Sequence, residues 1–198
     1  MTITTRPSGF YRRLCPVDIF PHRWAFTLLF PLRSIFLSPK RLIERLGIQE
    51  DSTVLEVGPG PGFFSVPIAK KLTRGKLVLA DIQPEMLAYA KKRLTKRRLT
   101  NVDFYPCDGT GFDLPDDYFD AVFLVTVIGE VANKREYMAE FFRMLKPGGI
   151  LSISEQAVDP HIMSIPDVRE LATNAGFTED KIYGKAWNYT ANFRKVAA

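Results

Sequence analysis

Val54-Leu55-Glu56-Val57-Gly58-Pro59-Gly60-Pro61-Gly62-Phe63-Phe64 is an apolar run with one acid in it, cut off by three glycines spaced two apart. Residues 63–72 then place apolar side chains at helical spacing, so the stretch reads as strand, tight turn and helix. Glycine serves where the backbone must take positive φ, or where a ligand must approach without a Cβ in the way. A glycine turn running into a helix N-terminus presents free amides and the positive end of the helix dipole. The stretch therefore predicts a nucleotide-like cofactor site at the carboxyl end of a first strand.

Downstream, strands and helices alternate. Residues 76–80 form a second buried strand ended by Asp81, and residues 84–94 a helix with proline in its first turn. Residues 101–105 are a third short strand before Cys107-Asp108-Gly109, and residues 118–125 a strongly apolar fourth. A helix over 134–145 is stopped by Lys146-Pro147-Gly148-Gly149, a fifth strand covers 150–154, and a helix over 167–175 ends at Gly176. The tail alternates over 177–183 and 186–195 like a terminal hairpin. Upstream, residues 38–47 carry a helix start signal, apolar Leu42, Ile43 and Leu46, and a glycine stop. The pattern predicts an α/β domain with a doubly wound, mainly parallel Rossmann-like sheet and a C-terminal antiparallel hairpin over 38–198, preceded by an N-terminal helical arm over 1–37.

The 198 residues suit one domain with a sizeable core, and 46% hydrophobic with 25% charged residues is ordinary for a soluble globular chain. Cys15 and Cys107 make no disulfide framework, which fits a reducing, cytoplasmic setting. No signal peptide is visible, because Arg6, Pro7 and Gly9 interrupt any apolar run at the start. The net charge of +5 is unevenly placed: residues 1–49 hold eight basic against two acidic side chains, a net of +6, so the remainder carries −1. The basic character thus belongs to the arm and not to the cofactor domain, which argues against nucleic-acid binding. Lys91-Lys92-Arg93 and Lys96-Arg97-Arg98 read as a solvated face complementing a helix C-terminus.

Within the arm, residues 17–37 are rich in Phe, Leu and Ile around Trp24, but the uncharged part, 24–32, is nine residues long. A membrane span needs about 20. Pro21 and Pro31 split the segment into short helical pieces. One reading is a helical cap over the cofactor and acceptor sites. The other is an interfacial segment, since Trp, Phe and Arg together favour a lipid surface. Both are compatible.

The glycine triplet alone does not name the cofactor, and Phe63 stands where a dinucleotide fingerprint has its third glycine. The ordered series says more: Glu56 two residues before the first glycine, Asp81 ending strand two, Asp108 after strand three, Phe119-Asp120-Ala121-Val122 opening strand four, and Leu145-Lys146-Pro147-Gly148-Gly149 before strand five. This series resembles the class I S-adenosylmethionine-dependent methyltransferases, and most nearly the small-molecule branch that includes the ubiquinone/menaquinone-biosynthesis enzymes. The likeness covers residues 50–155 in ordered motifs and 40–195 in general layout.

The resemblance implies roles position by position. Glu56 and the Gly58-Pro59-Gly60-Pro61-Gly62 loop would hold the methionine end of S-adenosylmethionine. Asp81 would accept from both ribose hydroxyls, as a carboxylate with two acceptor oxygens can. Ile82 would lie against adenine, Asp108 would accept from its amino group, and the Gly109 amide would meet a ring nitrogen. Leu124 and Val125 would border the methionine portion through their backbone. The plainer readings are turn-capping for Asp81 and Asp108, and a structural acid for Glu56.

Departures narrow the chemistry. Val125-Thr126-Val127-Ile128-Gly129-Glu130-Val131 lacks the Asn/Asp-Pro-Pro-aromatic motif of nucleic-acid amino-methylating enzymes. Cys107 follows strand three, so no cytosine-type nucleophile is evident. His22, His161 and the two cysteines show no metal-ligand spacing, so no metal is expected. Many relatives carry a His pair where Gly129-Glu130 stand, so a histidine base is not supplied there. Glu130 is the first candidate for acceptor contact or general base, against a plain helix-start acid; Tyr11 and His22 on the arm follow. The expected activity is methyl transfer to a small hydrophobic or aromatic acceptor. The competing readings are a membrane-surface enzyme acting on a lipid or quinone-like acceptor, a non-catalytic cofactor-binding protein, and a nicotinamide oxidoreductase.

Overall fold

In the computed structural model, which describes residues 37–156, 161–186 and 188–196, the first element is helix α1 (Pro39–Leu46). Its ends follow from its sequence. The Ser38 hydroxyl accepts the Arg41 amide at 3.3 Å, Pro39 occupies the first turn, and Gly47 takes the left-handed conformation (φ 63°) while its amide donates to Ile43 O. The chain then runs through β1 (Thr53–Val57), α2 (Ser65–Lys71), β2 (Lys76–Asp81), α3 (Pro84–Thr95), β3 (Val102–Pro106), β4 (Phe119–Val125), α4 (Lys134–Met144), β5 (Leu145–Gln156), α5 (Ile165–Asn174), β6 (Phe177–Lys185) and β7 (Asn188–Lys195). The arm up to residue 36, with Tyr11 and His22, lies outside the described residues. Among the described residues no helix is long and apolar enough to cross a membrane.

The seven strands form one sheet in the order β3-β2-β1-β4-β5-β7-β6. The first five are parallel, and β7 and β6 join antiparallel. The chain steps outward from β1 to β3 and then crosses back to β4, so the strand order reverses between β1 and β4. In open α/β sheets that reversal opens a crevice at the carboxyl ends of the strands. Strand alternation splits the core in two. Leu42, Val54, Ile68, Leu79, Phe123 and Ile150 pack on the side of α1, α2 and α3. Leu55, Val122, Phe141, Leu151, Ile153 and Phe193 pack on the side of α4 and α5. Both faces are covered, which is why β1, β2 and β4 read as continuous apolar runs.

The expected element series is present, with shifted edges. Helix α2 begins at Ser65 and not at 63, because residues 60–64 are taken up by turns. Its C-terminal end is capped from a distance: Asn101 Nδ2 donates to Ala69 O (2.9 Å) and Leu72 O (2.7 Å). Strand β5 begins at Leu145 and not at 150. Lys146-Pro147-Gly148-Gly149 stops the helix as expected, but it is a bulge inside the strand, since Phe119 pairs with Leu145 while Ala121 pairs with Ile150. Lys146 Nζ reaches Asp120 Oδ1 at 2.7 Å across that bulge, and Asp120 Oδ2 accepts the Thr53 amide at 2.7 Å.

The connection from β3 to β4 carries two of the sequence-predicted site residues and is held from α4. Arg143 donates to Leu114 O (2.7 Å) and Phe112 O (2.9 Å), is oriented by Glu140, and also pairs with Asp116. Phe112 inserts between Tyr105 and Tyr137, with ring centroids at 6.3 and 5.2 Å. Replacing Arg143 by Met leaves two part-buried carbonyls without this donor, which costs about 1–3 kcal/mol for each group so stranded. R143M is expected to lower the urea midpoint and to speed amide exchange across residues 110–116, with exchange in β1 and β4 slowed or quickened only as global stability dictates.

Candidate functional site

The predicted residues converge on the carboxyl edge of β1, β2 and β4. Glu56 is paired in register between Leu79 and Phe123, so its side chain enters the α1–α3 face near the centre of the sheet. It is 3% exposed. Burial pushes its carboxyl up to about 8, the nearby Ser65 hydroxyl opposing that rise and the Asp81 charge adding to it. Among the described residues Glu56 Oε2 and Ser65 Oγ each lack a partner at good hydrogen-bond geometry, although the hydroxyl lies close enough to hold back the rise of the acid.

The glycine loop earns its glycines by geometry. Gly58, Gly60 and Gly62 all have positive φ (65°, 51° and 78°). A Cβ on Gly58 would lie 2.5 Å from Val127 Cγ2, and one on Gly62 would lie 3.2 Å from Ala90 Cβ. The Gly58 amide donates to Ala80 O at 2.8 Å, and the Gly62 amide closes a turn onto Pro59 O at 3.0 Å. Because α2 starts only at Ser65, the loop amides belong to these turns and not to a helix N-terminus. That corrects the expected origin of the donors while keeping them at the same edge.

Asp81, 8% exposed, ends β2. Its Oδ1 accepts the Gln83 amide at 2.9 Å. Burial raises its carboxyl to about 6, against the pull of the Gln83, Gly60 and Ile82 amides. The bond to Gly60 ties the glycine loop to β2. Ile82 Cγ2 lies 3.9 Å from the Cβ position of Gly109, so the two residues expected around adenine are neighbours. Asp108 is exposed, and its Oδ1 accepts both the amide and the hydroxyl of Thr110 (2.9 and 2.5 Å), bonds that hold its carboxyl below the usual range. It therefore does cap a turn. Cys107, buried beside them, has its thiol pushed up to about 12 by burial and the Asp81 charge, which makes it a poor nucleophile.

Leu124 and Val125 are buried at the end of β4, on opposite faces of the sheet. Immediately after them Thr126 takes φ 55°, unusual for a β-branched residue, while its amide donates to Ser154 O (2.8 Å) and its hydroxyl to Val125 O (2.7 Å). The chain turns there into a single 3₁₀ turn, Ile128–Glu130. Half-buried Glu130 closes that turn at the same end of the sheet as Glu56. A Cβ on Gly129 would meet His161 O at 2.0 Å, so the His161 peptide fills the space a side chain at 129 would take. Sequence reading did not single out Thr126, Val127, His161 or Gln156 for this edge. A left-handed threonine and a peptide docked from 32 residues away leave no local signal. Among the described residues no group of three or more His, Cys, Asp or Glu is placed to hold a metal ion.

A methyltransferase domain model matches residues 48–193. The chain therefore belongs to the methyltransferase domain family, and its fold is that of the S-adenosylmethionine-dependent class. The ubiquinone/menaquinone biosynthesis C-methyltransferase UbiE of Hydrogenovibrio crunogenus is 34% identical over 118 residues, covering 59% of this chain and 46% of that protein. Its counterpart in Proteus mirabilis is 30% identical over 123 residues, covering 60% and 49%. The match thus spans about half the length of these relatives. A crystal structure of a SAM-dependent methyltransferase from Aquifex aeolicus superimposes with a TM-score of 0.83 at 24% identity, over 90% of this chain and 100% of that one.

The Glu56 carboxyl binds its proton more tightly folded (about 8) than at its ordinary value of 4.5. Its contribution to stability is therefore fully present below about 4.5 and is lost as the pH rises through 8. Glu56→Gln mimics the protonated acid and removes that loss. By thermal unfolding the variant is expected to match the wild type at pH 5 and to exceed it by at least about 4 °C at pH 9. Parallel pH profiles for the two proteins would show the assignment to be wrong.

Proposed function

We propose that this chain transfers a methyl group from S-adenosylmethionine to a small hydrophobic or aromatic acceptor by direct in-line displacement. The observation that carries the reading is the buried Glu56 carboxyl, short of hydrogen bonds, at the lip of a glycine loop that tolerates no side chain at Gly58. An ammonium group is what such an acid lacks, and a close-fitting backbone loop suits a methionine tail. Asp81 then takes the ribose hydroxyls through its carboxylate. Ile82 and the Gly109 amide border the adenine, and the exposed Asp108 carboxylate accepts from its amino group. The ends of β4, at Leu124 and Val125, flank the methionine portion. The donor residues present fit that molecule part by part.

The bound donor supplies an electrophilic methyl on a sulfonium, so no covalent enzyme intermediate is required. What remains for the protein is alignment and exclusion of water. The turn after β4, fixed by Thr126 and packed on Gly58 through Val127, sets the boundary between donor and acceptor. Glu130 at the end of that turn takes a proton when the acceptor carries one, with Tyr11 and His22 as candidates from the arm. The apolar arm over 1–37 roofs the acceptor on the domain over 38–198. A quinone-like acceptor at a membrane surface is the second reading, favoured by the names of the relatives and by the net charge of +4 over residues 1–37.

Calorimetric titration with S-adenosylmethionine, S-adenosylhomocysteine and NAD tests the donor. The first two are expected to bind and NAD not to; the reverse would overturn the proposal. Asp81→Asn is expected to weaken S-adenosylhomocysteine about 10- to 100-fold, the worth of charge-assisted hydrogen bonds to a diol. Gly58→Ala is expected to abolish binding, because its Cβ meets Val127 at 2.5 Å. Deleting residues 1–36 is expected to spare donor affinity more than turnover; equal losses would count against the arm as the acceptor roof.

A further inference from the structure

Alternation along β5 puts Ile150, Ser152, Ser154 and Gln156 on the α1–α3 face, the face that also receives Glu56. These three polar side chains follow one another on a strand whose other face carries Leu151, Ile153 and the buried Glu155. All three are buried, as are Thr190 and Asn192 opposite them on β7. The middle of this strip is satisfied in part, with Ser152 Oγ and Asn192 Oδ1 left without a hydrogen-bonding partner among the described residues. Ser154 Oγ and Thr190 Oγ1 are 2.8 Å apart, Arg45 Nη1 donates to Thr190 Oγ1 at 2.7 Å, and Asn192 Nδ2 donates to Arg45 O at 2.7 Å. Its carboxyl end is not. Gln156 is 2% exposed, and neither Nε2 nor Oε1 meets a hydrogen-bonding partner among the described residues.

A buried carboxamide with both functions unmet costs about 1–3 kcal/mol per group, so its retention asks for a partner that comes and goes. Its position says which one. Val125 pairs with Ser154, so Gln156 lies two residues, roughly 7 Å at strand rise, beyond the last residue of β4. It therefore stands beside the Thr126-Val127 turn whose Val127 leans on Gly58. That is the donor–acceptor boundary drawn above.

We propose that Gln156 recognises the acceptor through a hydroxyl group. The choice of group follows from the amide itself. A carbonyl oxygen can only accept, and would satisfy Nε2 alone; an ammonium can only donate, and would satisfy Oε1 alone. A hydroxyl both accepts from Nε2 and donates to Oε1. The acceptor class is then an aromatic or other apolar molecule bearing a hydroxyl near its reacting atom. This rests on the methyl-transfer reading, and it makes Gln156 a specificity residue with no part in holding the donor.

The test measures binding to full-length protein loaded with S-adenosylhomocysteine, using phenol, 1-naphthol and 1,4-naphthohydroquinone against their methyl ethers. In the wild type at least one hydroxyl form is expected to bind at least about tenfold more tightly than its ether, and in Gln156→Leu that preference disappears. S-adenosylhomocysteine affinity is expected to stay within about twofold, and the melting temperature of Q156L to equal or exceed that of the wild type, since an apolar side chain replaces an unmet amide. Absence of any hydroxyl preference in the wild type, its survival in Q156L, or a fall in melting temperature with binding unchanged would overturn the assignment. Failure of the wild type to bind S-adenosylhomocysteine would instead overturn the methyl-transfer reading, and this assignment with it.

Discussion

A carboxyl group set in the middle of a buried parallel sheet is the constraint around which the rest is arranged. Glu56 sits between Leu79 and Phe123, where an ionised acid is poorly solvated, and it responds by holding its proton to about 8. Moving the acid to the rim would relieve that penalty at once. Its retention beside Asp81, another carboxyl that burial raises, concentrates acidic groups at one edge of the layer. The strand order places the edge correctly: β1 lies where the sheet reverses direction, so nothing covers the carboxyl ends of β1 and β4 from within the sheet.

The loops above that edge are held by contacts that leave little play. Gly58 fits under Val127, the Gly60 amide is engaged by Asp81, and Gly129 is pressed against the His161 peptide. Arg143 performs the same service for the β3–β4 connection from below, using backbone carbonyls as its partners. The connections after β1, β3 and β4 are thus positioned by specific contacts with their neighbours.

Much of this was legible in the sequence because it depended on local rules. The apolar runs of β1, β2 and β4, the caps of α1, and the glycine turn after Val57 all announce themselves through spacing. The places of Asp81 and Asp108 after β2 and β3 were readable in the same way. Features depending on the third dimension were not legible. Lys146-Pro147-Gly148-Gly149 reads as a helix stop, and only pairing with β4 reveals that the strand has already begun. Glu56 and Asp108 look alike as acids after apolar runs, yet one is wholly buried and the other is spent on a turn with Thr110. Gln156 has no motif at all; its interest comes from the partners it does not have.

The stitching of α1 to β7 bears on how the molecule is made. The bond from Asn192 to Arg45 O spans 147 positions, and that from Arg45 to Thr190 spans 145. These two bonds therefore form only once residues 190–192 are available, although α1 can already pack on α2 and the early strands through Leu42 and Leu46. Closure entropy for so long a separation must be met before the contact returns anything. Until then Arg45 lacks its partners on β7, and that junction waits on the β6–β7 hairpin.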